Sequence, residues 1–278
     1  MIPLPLHHSL SRQRRKFRML RIESKDNKRI KRLRGLAKKK VRMKENLFLI
    51  EGLKIVSEAL DSGYPLDTVV FSDGFNPDNE LTEKLESGDF DVISVTESVF
   101  GSISTSVTPQ GILAAALAKA STLNEIIDTG RPILILDGIS DPGNMGTIVR
   151  TADAFQFGGV LVTDDCVDIY NTKSVQASMG SVLRVKSLEL ETGMIDLLKE
   201  SGYTITGMDL NGRALSDGYA FPEKCVLVIG SESHGISTRS KALCDELVKI
   251  PMRGNAESLN AAVAAGIAMF LAGGCGRI

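Results

Sequence analysis

Two α/β domains in tandem are the fold class that this 278-residue sequence predicts. Three observations carry it. Short apolar runs alternate with helix-period segments along the chain, the pattern of sheets with helices packed on them. The rhythm weakens over residues 117–131 and restarts at Pro132. The run Ile133-Leu134-Ile135-Leu136 is continuously apolar, as a strand buried on both faces of a parallel sheet must be.

In the first half, Ile30, Leu33, Leu36, Ala37 and Val41 recur at spacings of three and four with Lys and Arg between them. That is one amphipathic helix, and Ser24 or Asp26 can cap it. Leu47-Phe48-Leu49-Ile50 reads as a strand. A helix follows through Ile55, Val56, Ala59 and Leu60 to a Ser62-Gly63 stop. Strands are expected at 69–71, 92–95 and 111–116, with helices at 79–86 and 97–104, which together make a small three-layer α/β/α domain. In the second half, strands are expected at 133–136, 160–162, 185–188, 203–208, 225–229 and 247–250. Helices are expected at 143–155, 174–178, 194–201, 237–243 and 259–271. Strict β-α alternation predicts a parallel sheet covered on both faces. The expected organisation is an extension at 1–18, a first domain at 19–117, a linker at 118–131 and a second domain at 132–278. The first 18 residues hold five basic residues, no acid and two prolines, and Met19 is the expected natural start.

Composition narrows the function classes. Apolar residues make up 43%, enough for a sizeable core, and no apolar run approaches the roughly 18 residues that span a bilayer. Cys166, Cys225, Cys244 and Cys275 are far apart, and the histidines are His7, His8 and His234. No metal cluster or disulfide framework is expected, and a reducing cytosol is the expected compartment. The net charge of −1 conceals an asymmetry: residues 1–44 hold 17 of the 33 Lys and Arg against two acids, Glu23 and Asp26. A basic segment on an otherwise acidic protein points to a polyanion, and the helical register of Lys28, Arg29, Lys31, Arg32, Arg34, Lys38, Lys39 and Arg42 makes that segment the expected RNA-binding face.

The loop after the first strand of the second domain, 137–144, is not GxGxxG, and the chain has no phosphate-binding GxxxxGK[ST] motif. Ligands in open parallel sheets bind at the carboxyl ends of strands. The segments 137–146, 230–236 and 250–260 lie there and are rich in glycine and small polar residues. They contain Asp141-Pro142-Gly143-Asn144-Met145-Gly146-Thr147-Ile148-Val149-Arg150, then Val228-Ile229-Gly230-Ser231-Glu232-Ser233-His234-Gly235-Ile236, then Ile250-Pro251-Met252 and Ser258-Leu259-Asn260.

Together and in this order, these motifs resemble the SpoU/TrmH family of RNA ribose 2′-O-methyltransferases, of the knotted SPOUT class. The resemblance covers roughly residues 20–275. It implies a deep trefoil knot in the second domain and S-adenosylmethionine held largely by backbone groups at Gly230, Ile250 and Leu259, with Met252 and Gly235 as secondary contacts. It implies Arg150 as the catalytic residue, assisted by Asn144, Glu232, Ser258 and Asn260. It also implies a homodimer through the small-residue helix at 259–271 and the helix bearing Arg150. The first domain resembles the ribosomal-protein-like RNA-binding domain of these enzymes at 42–52 and at Thr108-Pro109-Gln110-Gly111. Ribosomal RNA is the expected substrate; transfer RNA and a catalytically idle RNA-binding protein are the alternatives. On the residues alone, Gly230 reads equally as a tight turn, Ile250 and Leu259 as core, Arg150 as a solvated helix residue, Glu232 as a helix N-terminal acid and Ser258 as an N-cap.

Overall fold

The computed structural model describes residues 19–215 and 219–273. The expected extension at 1–18 and Cys275 lie outside them.

The first five strands form one mixed sheet. β1 (Met19–Ile22), β2 (Leu47–Glu51), β3 (Leu66–Ser72), β4 (Asp91–Val95) and β5 (Ile112–Leu117) lie in the order β1-β4-β3-β5-β2. β1 and β3 flank β4 in parallel, and β5 runs antiparallel to both β3 and β2. Alternation along β2 divides the core. Phe48 and Ile50 pack with residues of α3 (Leu53–Asp61) and α4 (Asn79–Ser87). Leu47 and Leu49 pack with α1 (Lys28–Gly35) and α5 (Glu97–Gly101) on the other face.

Two local expectations change here. The single basic helix is two helices, α1 and α2 (Lys39–Glu45), and its cap is Asn27, whose Oδ1 accepts from the Arg29 amide at 2.9 Å. The chain turns at Leu36 and Ala37, where the buried Arg42 side chain returns to donate to both carbonyls. β1 had no counterpart in the sequence reading. Its four residues are mostly exposed, so no burial period marks them; its pairing with β4 makes it a strand.

The second sheet is wholly parallel, in the order β11-β9-β10-β6-β7-β8. Its strands are β6 (Ile133–Asp137), β7 (Gly159–Val162), β8 (Ser187–Glu189), β9 (Thr204–Ala214), β10 (Cys225–Gly230) and β11 (Glu246–Lys249). Leu134 and Leu136 face the layer of α7 (Pro142–Ala154), α8 (Thr172–Ser178) and α11 (Ala261–Ala272). Ile133 and Ile135 face α6 (Leu123–Ile127), α9 (Met194–Glu200) and α10 (Thr238–Leu243). Both faces of the sheet are therefore apolar, which is why β6 shows no alternation.

The two sheets share a continuous core through α8. Phe48 of β2 stacks on Tyr170 with ring centroids 4.5 Å apart. Arg42, 5% exposed, reaches Asp168 through Nε at 2.8 Å and Nη2 at 2.6 Å. Arg184 pairs with Glu58, and Gln176 donates to the Thr105 hydroxyl at 3.0 Å.

Candidate active site

The site lies at the carboxyl ends of β6, β9 and β10. β10 ends at Gly230, in register with Asp137 at the end of β6. The next five residues fold back tightly: Ser231 and Gly235 exchange backbone hydrogen bonds of 3.1 and 2.9 Å. A Cβ on Gly230 would lie 2.0 Å from the Gly235 carbonyl carbon and 2.2 Å from the Ile236 amide nitrogen, so only glycine fits there. The buried Asp137 carboxylate accepts from the Ser237 amide at 2.6 Å and pins the far end of this loop to β6.

Around the turn is a cavity of about 310 Å³. Every cofactor residue expected from the resemblance lines it: Gly230, Gly235, Ile250, Met252 and Leu259, together with Glu232 and Ser258. The walls also include a segment the sequence reading missed, Met208, Asp209, Leu210 and Asn211. β9 is longer than expected because its pairing with β11 jumps from Gly207 opposite Leu247 to Arg213 opposite Val248. The residues between leave the ladder and enter the cavity wall. Asn211-Gly212, a strong turn signal, could have disclosed this excursion. At its base Asp209 pairs with Lys241 at 2.6 Å. Burial opposes ionisation of Asp209, but hydrogen bonds from Lys241 and Asn211 outweigh it and hold the carboxyl below its ordinary value.

At the cavity's edge three of the expected catalytic side chains form a chain of hydrogen bonds. The Asn144 amide donates through Nδ2 to Glu232, and its Oδ1 accepts from Asn260 Nδ2 at 3.0 Å. Asn144 begins α7, with its amide bonded to the Asp141 side-chain cap at 2.8 Å. Asn260 begins α11, with its own Oδ1 accepting from the amides of Ala262 and Val263 at 3.0 and 3.2 Å. The relay thus fixes both helix N-termini and the β10 loop to one another. It also revises two readings. Asn260 is the N-cap of α11, so Ser258 has no capping role there. Glu232 lies in a turn before α10, so it is not a helix N-terminal acid. Glu232 and Asn260 orient Asn144, and none of the three is bonded to Arg150.

Arg150 lies further along α7. It is exposed, although its neighbours Ile148, Val149 and Ala152 are buried, and its side chain has no hydrogen bond or ion pair among the described residues. Beside it, α11 packs on α7 and leaves Val263, Ile267 and Phe270 exposed at 51, 38 and 41%. The basic residues of the first domain divide. Lys28, Arg34, Lys38 and Lys39 are exposed. Lys31, Arg29 and Arg32 are exposed as well but pair with Asp26, with Asp91, and with Glu45 and Asp67. Arg42 is buried against Asp168, so a phosphate cannot reach it, and it leaves the expected RNA-binding set.

The thiols of Cys166, Cys225 and Cys244 do not line the cavity. Burial pushes Cys225 up to about 12 and Cys244 up to about 11, and the buried Cys166 is raised as well.

A wholly parallel sheet with glycine-built loops around a cavity at its carboxyl edge defines a class: α/β proteins that bind a ligand at the strand ends. Within it, the chain belongs to the SpoU rRNA methylase family, whose model matches residues 131–270. The MRM3-like substrate binding domain matches residues 27–114. The chain is 32% identical to the 23S rRNA (guanosine(2553)-2′-O)-methyltransferase RlmP of Bacillus subtilis, over 91% of this chain and 98% of that one. Among solved structures, the AdoMet-bound rRNA methyltransferase of Sinorhizobium meliloti superposes with a TM-score of 0.79 at 30% identity, covering 91% of this chain and 97% of that one. The SpoU methyltransferase AviRb of Streptomyces viridochromogenes, in complex with AdoMet, gives a TM-score of 0.82 at 26% identity, covering 89 and 97%.

Proposed function

We propose that this protein transfers a methyl group from S-adenosylmethionine to a ribose 2′-hydroxyl of large-subunit ribosomal RNA. One observation carries the reading beyond the family itself. The segments bearing Gly230, Ile250 and Leu259, distant in sequence, converge on one cavity with the Glu232–Asn144–Asn260 chain at its edge. The cavity suits the cofactor chemically. Ile229, Ile250, Met252 and Leu259 offer an apolar surface for a purine ring, and the turn at 230–235 offers backbone groups at close range. When bound, S-adenosylmethionine supplies an electrophilic methyl group.

The chain's own residues then have distinct tasks. Glu232 and Asn260 hold the Asn144 amide in a single orientation at the ribose. Arg150 clamps a phosphate of the RNA with its guanidinium fork and stabilises charge developing on the ribose oxygen. It does not remove the hydroxyl proton, because guanidinium stays protonated in proteins. Ser258 lies on the cavity wall with its hydroxyl free of any capping role.

The same reading includes a cytoplasmic homodimer in which a second copy covers Val263, Ile267 and Phe270 and brings its surface against Arg150. It includes a trefoil knot closed by the C-terminal segment. It takes 19–117 as the RNA-recruiting domain, 118–131 as linker and 132–278 as the transferase domain. What supports this division is that 19–117 and 132–278 each carry their own sheet, while 118–131 holds only the short helix α6, which packs on the second sheet.

The test is transfer of tritiated methyl to total RNA from a strain lacking this gene, followed by separation of ribosomal from transfer RNA and digestion to nucleosides. Label is expected in a 2′-O-methylnucleoside. Label confined to transfer RNA would overturn the substrate, and cofactor binding without any transfer would favour the idle protein. Arg150→Ala should abolish transfer while cofactor binding persists; normal turnover would remove Arg150 from the site.

A further inference from the structure

The proposed function leaves two motifs without a task, Glu51-Gly52 and Thr108-Pro109-Gln110-Gly111. They meet at a second cavity of about 320 Å³, between the first sheet's domain and α8 of the second, whose walls include Lys54, Gln110, Gln176 and Met179. We infer that this groove is an RNA subsite that takes one unpaired nucleotide of the substrate; the inference rests on the methyltransferase reading above.

The groove is built to present amides. Gly52 has a φ of +108°, and a Cβ there would stand 3.1 Å from Oε1 of the Gln110 side chain. Glycine thus lets Gln110 lie over the start of α3, where Oε1 accepts from the Leu53 amide at 2.9 Å. That bond fixes the side chain and leaves Nε2 as a donor with no partner among the described residues. Across the groove, Gln176 uses one end of its amide on Thr105 and keeps the other. Two oriented amides on opposite walls match the mixed donor and acceptor edge of a nucleobase.

The other walls suit the rest of a nucleotide. Ile55 and Met179 are apolar, and Met179 is 50% exposed, held outward by a left-handed backbone with φ +50° at the end of α8. A flat ring stacking there would remove that surface from water. Lys54 is exposed at the rim, with no acidic partner among the described residues, and suits a phosphate. The one acid, Glu51, is already committed: its carboxylate accepts from the Ser104 hydroxyl and from the Thr105 amide. α8 packs so closely on α7 that a Cβ on Gly146 would lie 2.3 Å from the Ser174 carbonyl oxygen. A nucleotide seated on α8 therefore sets the path of the RNA toward Arg150 on α7.

The experiment compares wild type, Gln110→Glu and Gln176→Ala on unmethylated, protein-free large-subunit ribosomal RNA. Gln110→Glu keeps the acceptor that caps α3 and replaces the free donor with a carboxylate oxygen. Each variant should weaken RNA affinity at least fivefold and raise KM for RNA, with S-adenosylmethionine affinity and thermal midpoint unchanged. Wild type bound to 4-thiouridine-substituted RNA should photo-crosslink within 106–110 or 176–179. Full RNA affinity in both variants, or crosslinks confined to other segments, would overturn the subsite and leave the methyltransferase reading standing. A wild type that neither binds nor methylates RNA would overturn both.

Discussion

Truncating Arg42 should unfold the protein's domain junction, because this side chain does more than form an ion pair. Its guanidinium makes four hydrogen bonds: two to Asp168 at 2.6 and 2.8 Å, and one each to the carbonyls of Leu36 and Ala37 at 2.8 and 3.0 Å. The pair is enclosed, at 5 and 14% side-chain exposure, so water cannot replace the lost partner. Arg42→Ala leaves Asp168 with only the Tyr170 amide, at 2.9 Å, and strips the corner between α1 and α2 of its donors. Removing one member of a buried pair costs about 3–5 kcal/mol. For a chain of this size that is a fall of roughly 6–20 °C in the thermal midpoint. Arg42→Lys should recover less than half, since an ammonium cannot reproduce the fork. In Arg42→Met with Asp168→Asn much of the loss should return, because both charges are removed together and the amide oxygen can still accept from the Tyr170 amide. The assay is thermal and urea unfolding of these proteins together with the single variants Arg42→Met and Asp168→Asn, which close a double-mutant cycle with wild type and the double variant. A loss below about 1 kcal/mol for Arg42→Ala, or no coupling between the two positions, would refute the reasoning.

Other outcomes follow from the same geometry. Gly230→Ala should abolish cofactor binding measured by calorimetry and destabilise the fold by about 2 kcal/mol or more, because the added methyl meets backbone rather than a side chain that can move. Replacing Lys28, Lys38 and Lys39 together by Ala should lower the slope of log affinity for RNA against log salt by roughly 2, as each lost phosphate contact releases fewer counterions. Arg42→Ala should leave that slope unchanged. Asp209 has a folded-state value below its ordinary 3.8. Its contribution is therefore complete above the unfolded value and lost as pH falls through the lower folded one. Asp209→Asn should accordingly flatten the acid limb of a stability titration; an unaltered limb would show that the Lys241 pair does not hold this wall.

How much was legible follows from what each residue's signal depends on. Ile133, Leu134, Ile135 and Leu136 announce a doubly covered strand because both neighbours of each face are apolar, and that is written in four consecutive letters. The helix starting near Asn144 is equally local, with Asp141 as cap and Pro142 at its first position. By contrast, β1 is a strand only because β4 runs beside it, and the excursion of β9 exists only because β11 pairs with both its ends. The basic run shows the limit most clearly. Arg42 has the same charge and spacing as Lys38 and Lys39, and nothing in their order reveals that Asp168, 126 residues away, claims it.

The sequence by itself determined the two α/β units, the residues available for a cofactor loop and the sign of the partner's charge, since hydrophobic period, glycine content and net charge are properties of neighbouring letters. Only the tertiary structure decided which of those residues share a cavity, that Asn144 is held by Glu232 and Asn260 rather than by Arg150, and that Arg42 joins two domains. Those are distances between segments far apart in the chain, fixed by packing of the whole core and not by any local preference.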